Sequence, residues 1–241
     1  MTEPVVRHFG PKLYADHPPF SYPDYRSTVK RSPTHAPITI VETLSESTGP
    51  GPIWSEVSEE DADLTTNSGT GAPALGERII VTGKILDENG NGLPGTLLEI
   101  WQANSAGRYV HWRETAFPAP LDPNFLGVGQ CRTDAEGVYR FTTIKPAPYP
   151  WGNHPKAWRP AHIHFSLFGS ALGARLVTQM YFQGDPLLPL DPIYNSVPAH
   201  SRERMLAHYD HEVTTDHWAL GWHWDIVLRG ELGTPADEDE A

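Results

Sequence analysis

Residues 78–102, RIIVTGKILDENGNGLPGTLLEIWQ, carry the reading that sets the fold class. Arg78 to Leu86 is β-branched and alternating, the pattern of a half-buried strand. Asn89-Gly90 and Asn91-Gly92 are turn dipeptides, because Asn and Gly accept the positive φ that tight hairpin turns need. Gly95 to Gln102 then reads as the return strand. Further on, TDAEGVYRFTTI repeats turn then strand, with Val138, Arg140 and Thr142 facing opposite to Tyr139, Phe141 and Thr143. Ala161 to Phe168, Arg175 to Phe182 and Trp222 to Arg229 are three more strands, and Ile38 to Val41 is a short candidate. Helical signal is confined to Pro198–Tyr209, with Pro198 near a first turn and Met205, Leu206 and Tyr209 on one side.

This pattern predicts an all-β chain: a β-sandwich of mixed short strands with long loops and an extended N-terminal arm. Composition agrees, since 24 Pro and 21 Gly in 241 residues suit short strands and many turns. Three segments are expected: an extended arm over 1–75, a β-sandwich domain over 76–231 that carries the chemistry, and an acidic tail over 232–241. The arm holds Phe9, Tyr14, Phe20, Tyr22, Tyr25 and Trp54. Disordered tails are usually poor in aromatics, so the arm is expected to wrap a neighbouring surface.

Net charge is −12, with 18 Lys and Arg against 30 Asp and Glu. That balance disfavours nucleic acid and anionic membrane, both of which call for a basic face. Acids at 56–63 and 237–240 read as solvated surface. Cys131 is the single cysteine, so no intrachain disulfide and no Cys-based zinc site can form. It is expected to be a small buried residue. MTEPVVRHFGPKLY holds no apolar stretch of signal-peptide length, and no apolar run approaches a membrane span, so a cytoplasmic location is the default expectation.

The sharpest chemical feature is Arg159-Pro160-Ala161-His162-Ile163-His164-Phe165. On a strand, i and i+2 share a face, so His162 and His164 project together while Ile163 and Phe165 enter the other face. Two imidazoles on a rigid strand can present metal ligands, and the plain alternative is two histidines on a solvated face. No Asp or Glu lies within seven residues of the pair to supply a carboxylate. Tyr109 in NSAGRYVH and Tyr149 in KPAPYPWGNHP are turn tyrosines beside strands. Free tyrosine has a pKa of about 10, so it ligates well only to a strong Lewis acid such as a ferric ion. The alternative is that each caps the core with a wet hydroxyl.

With RYVH, PYPW and WRPAHIHF in that order, and with GERIIVTG, LLEIWQANSAGRYVH, LDPNFLGVGQCRTDAEGVYRF, TQMYFQGDPL and WDIVLRG around them, the chain resembles the intradiol ring-cleaving dioxygenases over about residues 16–231. The resemblance implies a non-haem Fe(III) held by Tyr109, Tyr149, His162 and His164. It implies a catalytic role for Arg159, which would steady developing negative charge, and for Tyr149, which would leave the metal and accept a proton. Gln179 matches a position behind the ligands, and Tyr25, Trp101, Trp151 and Ile193 match pocket positions, with Arg31 a weaker addition. The implied reaction is cleavage by O2 of a carboxylated catechol, 3,4-dihydroxybenzoate, between its two hydroxyl carbons. The implied partner is a homologous α subunit in a hetero-oligomer.

The sequence departs from the family pattern in three places. VHWRETAFPAP, between Tyr109 and Leu121, is one residue longer than usual; Ala147 stands where Gly is common; and the tail is short and acidic. Two other readings compete. One is a catechol or hydroxyquinol dioxygenase of the same family, which would normally carry a helical N-terminal segment that residues 1–75 lack. The other is a non-enzymatic β-sandwich binding module, which the strand–turn text alone would also suit.

Overall fold

The computed structural model describes residues 16–35, 57–111, 117–168 and 176–236. The strand candidate Ile38–Val41, the aromatics Phe9, Tyr14 and Trp54, residues 112–116 of the lengthened loop and the acids 237–240 lie outside those residues. The described chain is mostly β. Its strands are β1 (Arg78–Leu86), β2 (Leu97–Gln102), β3 (Val128–Arg132), β4 (Val138–Ile144), β5 (Tyr149–Pro150), β6 (Trp158–Arg159), β7 (His162–Phe168), β8 (Leu176–Phe182), β9 (Leu206–Thr215), β10 (Ala219–His223) and β11 (Ile226–Val227). Two short helices, α1 (Arg26–Arg31) and α2 (Pro192–Ser196), flank them.

Nine strands join in one sheet, in the order β11-β1-β10-β9-β8-β7-β2-β3, with β4 added on β1; β5 and β6 form a separate pair. The expected sandwich is met only in part. The β4-β1-β10-β9 half and the β8-β7-β2-β3 half are continuous through parallel pairing of Tyr181 with Leu206 and Phe182 with Ala207, which gives a nearly closed sheet. The return-strand reading of residues 95–102 is corrected. β2 does not pair with β1; it lies between β3 and β7, and β1 takes β4, β10 and β11. Only an isolated Leu86–Gly92 bridge remains of a hairpin.

Between the halves sits one apolar core. Alternation on β4 puts Tyr139, Phe141 and Thr143 inside and leaves Arg140 exposed. On β7, Ile163, Phe165 and Leu167 are fully buried. Phe165 meets Tyr139, Phe141 and Trp224 at ring separations of 6.1, 5.8 and 5.0 Å. Such aromatic pairs add about 0.5–1.5 kcal/mol each beyond the area they bury. Cys131 lies in this core, and burial pushes its thiol up to about 12, so it stays protonated.

The Pro198–Tyr209 helix does not form. Arg202–Met205 makes a single 3-10 turn and Leu206 onward is β9, where sheet pairing overrides the weak helical pattern. Met205 and Leu206 face a second apolar cluster with Tyr181, Leu188, Tyr194 and Val197. The predicted strand over Trp222–Arg229 is broken between His223 and Ile226, where Trp224 instead donates its backbone N–H to the Thr82 carbonyl.

The described part of the arm packs on this body. The Asp16 carboxylate accepts from Ser201 Oγ at 2.7 Å and Arg204 at 2.7 Å. Residues at the start of the tail also pack: the Pro235 carbonyl accepts from Thr178 Oγ1 at 2.7 Å, and Ala236 N–H donates to His17 Nδ1 at 3.1 Å. Among the described residues no helix is long and apolar enough to cross a membrane.

Candidate metal centre

Strand register assembles the floor of the site. On β7, His164 lies between Trp101 of β2 and Gln179 of β8, and His162 lies beside Tyr181 of β8. Lateral neighbours in a sheet share a face, so all five side chains project from the side opposite the Phe165 core. Trp101 stacks on His164, ring centres 4.8 Å apart and planes within 10°.

Two connections bring the tyrosines over this floor. The first is the turn at 104–108. Asn104 Oδ1 accepts from the N–H groups of Ala106 (2.9 Å) and Arg108 (3.0 Å), and its Nδ2 donates to the Pro120 carbonyl. Gly107 takes φ +78°, and a side chain there would strike the Pro148 carbonyl at 2.5 Å. Its absence lets the two connections touch, and the Tyr109 and Tyr149 rings meet edge to face at 5.5 Å. The second is the β5–β6 pair, in which Tyr149 stands opposite Arg159.

The result is a convergence of polar atoms. Tyr109 Oη lies 3.3 Å from His162 Nε2 and 3.1 Å from His164 Nε2, and Tyr149 Oη lies 3.5 Å from His162 Nε2. His162 Nδ1 lies 2.7 Å from the Pro160 carbonyl. That carbonyl can only accept, so Nδ1 carries the proton and Nε2 offers a lone pair to the cluster. Both imidazoles are held neutral. Burial, then the Arg159 charge, keeps His162 well below the usual histidine range; burial and then Arg159 push His164 down to about 3. Among the described residues no group of three or more His, Cys, Asp and Glu is arranged for a metal, so a metal here would depend on the tyrosines.

Arg159 closes one side. It is 3% exposed, with Nη1 3.1 Å from His162 Nε2. Its Nη2 donates to Gln179 Oε1 (2.7 Å), Tyr181 Oη (2.8 Å) and Asp191 Oδ2 (3.0 Å). Burial opposes the charge, but Asp191 and the tyrosines hold its pKa well above the usual arginine value.

Above the cluster opens a cleft of about 570 Å³. Tyr149, Arg159 and His164 line its floor, and Tyr25, Trp151 and Ile193 line its walls. Arg26, Ser27 and Lys30 of α1 line its mouth. Asn153 pins α1 there, accepting from Arg26 N–H at 2.8 Å and donating to the Asp24 carbonyl at 2.7 Å.

The structure thus brings together Tyr109, Tyr149, His162, His164 and Arg159, and places Tyr25, Trp151 and Ile193 on the cleft. Trp101 and Gln179 flank His164 from adjacent strands and do not line this cleft. Arg31 leans over the Tyr25 ring at 4.9 Å instead of reaching in. Sequence reading missed Arg26, Lys30, Tyr181 and Asp191. Only Asp191-Pro192 carried a signal, an N-cap followed by Pro at the first helical position.

A family model described as "Dioxygenase" matches residues 50–230, and one described as "Protocatechuate 3,4-dioxygenase beta subunit N terminal" matches residues 12–43. The chain is 53% identical over 237 residues to a protocatechuate 3,4-dioxygenase beta chain of Burkholderia cepacia, covering 98% of this chain and 100% of that one. It is 32% identical over 145 residues to a chlorocatechol 1,2-dioxygenase of Rhodococcus opacus, covering 51% of this chain and 53% of that one. The crystal structure of a 3-chlorocatechol 1,2-dioxygenase from Rhodococcus opacus superposes with a TM-score of 0.54 at 27% identity, over 71% of this chain and 66% of that one.

Proposed function

The chain belongs to the intradiol ring-cleaving dioxygenase family, and from that membership and the clustered donors we propose that it cleaves 3,4-dihydroxybenzoate (protocatechuate) with O2 to 3-carboxy-cis,cis-muconate. The bond between the two hydroxyl-bearing carbons breaks and both oxygen atoms enter the product. Residues 76–231 form the catalytic unit in this reading. The observation that carries it is the meeting of Tyr109, Tyr149, His162 and His164 beneath a cleft walled by Trp151 and Ile193.

The donor set fits a non-haem ferric ion. Metal–nitrogen and metal–oxygen bonds of about 2.0–2.2 Å put neighbouring ligand atoms roughly 3.0–3.6 Å apart, and the three separations here run from 3.1 to 3.5 Å. Two phenolates are hard anionic donors that favour the ferric over the ferrous state. A ferric ion bound there would supply Lewis acidity toward both catechol hydroxyls, activating the aromatic ring for O2.

The chain's own residues do the rest. Tyr149 lines the cleft, and its phenolate oxygen would accept a catechol proton and become the neutral phenol. Arg159 presents a fixed cation where negative charge gathers as the ring opens, and being held in advance it need not reorganise. Trp151, Ile193 and Tyr25 exclude water, with Tyr25 and Trp151 meeting at 5.2 Å. Gln179 and Trp101 act from behind, on Arg159 and His164. The cationic side chains of Arg26 and Lys30 take the substrate carboxylate at the mouth.

A homologous α chain is the proposed partner, supported by the "beta chain" of the relative's name. Exposed Leu126, just before β3, and Val128, its first residue, offer apolar surface for it.

A visible absorption spectrum taken before and after anaerobic addition of 3,4-dihydroxybenzoate tests the reading. A broad tyrosinate-to-iron band that shifts on addition, and that weakens in Tyr109→Phe and Tyr149→Phe, is the expected result. A colourless protein that still fails after reconstitution with iron would overturn it in favour of a binding module. Equal turnover of plain catechol or hydroxyquinol would move the substrate to the other branches of the family.

A further inference from the structure

Arg159 and His162 bound the connection between β6 and β7, Arg159-Pro160-Ala161-His162, and one neighbouring segment hydrogen-bonds both the Arg159 side chain and the Ala161 backbone. That segment, residues 183–196, holds two Asp-Pro dipeptides, Asp185-Pro186 and Asp191-Pro192. Asp185 Oδ2 accepts from Ala161 N–H at 3.0 Å, beside His162, while its Oδ1 accepts from Leu187 N–H at 2.9 Å. Asp191 does the same at the other end. Its Oδ2 accepts from Arg159 Nη2 at 3.0 Å, and its Oδ1 accepts from Ile193 N–H at 3.3 Å, capping α2.

Asp191 is 0% exposed and touches neither the cluster nor the cleft. Both residues it holds do line the cleft, Arg159 on the floor and Ile193 on the wall. One carboxylate therefore sets the distance between the cation and the wall against which a substrate would lie. Gln179 and Tyr181 also accept from Nη2, but they are neutral and can turn. Tyr181 Oη itself donates to Gln179 Oε1 at 2.9 Å, so those two hold one another. Among the described residues Asp191 is the carboxylate paired with the buried guanidinium, 3.0 Å from Nη2. A buried cation left without its counter-charge seeks another position or another anion.

We propose that Asp191 is a positioning residue for ring cleavage, fixing the Arg159 guanidinium against the Ile193 wall so that the cation meets charge that develops after the substrate binds. This rests on the reading of Arg159 given above. It assigns Asp191 no contact with the substrate.

Asp191→Asn is the informative change. Asparagine caps α2 as well as aspartate does, but it removes the charge and turns one oxygen facing Nη2 into a competing donor. Asp191→Ser keeps a capping oxygen without that clash and serves if the Asn variant folds poorly. The iron-loaded complex is assayed as the wild type, as each variant, as Arg159→Ala and as the double mutant. Misplacing a positioned group by about 1 Å costs up to about 100-fold in kcat. The expected result is a fall of that size for Asp191→Asn, with the substrate dissociation constant, iron content and visible band unchanged. In the Arg159→Ala background, Asp191→Asn should change kcat less than about twofold, since residues that act as a unit are not additive. A full further loss in that background, or loss of iron or of the visible band in the single variant, would overturn the proposal. An inactive iron-loaded wild type would overturn the reading of the site and this inference with it.

Discussion

Trp101 and His164 lie face to face, 4.8 Å apart and within 10° of parallel, because β2 and β7 pair those two positions directly. The indole therefore fixes the imidazole plane from the side away from Gln179. Stacking of this kind is worth about 0.5–1.5 kcal/mol. Trp101→Leu keeps an apolar strand residue and loses the stack. It should weaken iron retention by roughly twofold to tenfold, read as iron released to a chelator at equilibrium, with the circular dichroism spectrum unchanged.

At the mouth of the cleft, Lys30 is exposed and pairs with no carboxylate among the described residues. An exposed ion pair contributes about 0.2–1 kcal/mol. Lys30→Met should lower kcat/KM for 3,4-dihydroxybenzoate about twofold to fivefold. Plain catechol, which has no carboxylate, should be untouched. The difference should shrink at high salt, where exposed charges are screened. Equal losses on both substrates would show that Lys30 shapes the mouth and does not read charge.

Acid should loosen the arm first at Asp16. Burial opposes its charge, but hydrogen bonds from Ser201 and Arg204, the Arg204 charge and His200 together hold the carboxyl below its ordinary value of 3.8. The folded form thus binds protons less readily than the unfolded form. Its contribution to stability is complete above pH 3.8 and is lost as pH falls through the lower folded value. Limited proteolysis with an acid-active protease should cut near residues 16–20 only below that range in the wild type. In Asp16→Asn the cut should already appear near neutral pH, read with a neutral protease.

The histidine pair was legible in the sequence because strand period alone fixes which residues share a face, and Ile163 and Phe165 confirm the face by filling the core. The tyrosines were not legible that way. Each sits on a connection, Tyr149 in a strand of two residues, and nothing local says where such a residue points. Only the resemblance put them with the histidines. Partner strands were equally hidden: alternation predicted β1 and β2 as strands but not that they lie in different halves of the sheet. Arg26 and Lys30 escaped notice because a six-residue helix shows too little periodicity to read. Asp191 escaped because an Asp-Pro pair reads as a turn, and its tie to Arg159 spans 32 residues. In Pro198–Tyr209 a plausible helical pattern lost to sheet pairing that only the assembled fold supplies.

Tyr149 and Arg159 are cross-strand partners, so their spacing is set by the pairing of β5 with β6 and not by the chain between them. That chain, residues 151–157, carries Trp151 and Asn153, which shape the cleft wall and hold α1. The pair is closed at Trp151, whose N–H donates to the Ala157 carbonyl at 2.9 Å, so changes confined to residues 152–156 leave the phenol and the guanidinium in register. Substitution at Asn153 would reseat the helix at the cleft mouth, and with it the fit of an aromatic acid, while the reacting groups keep their spacing.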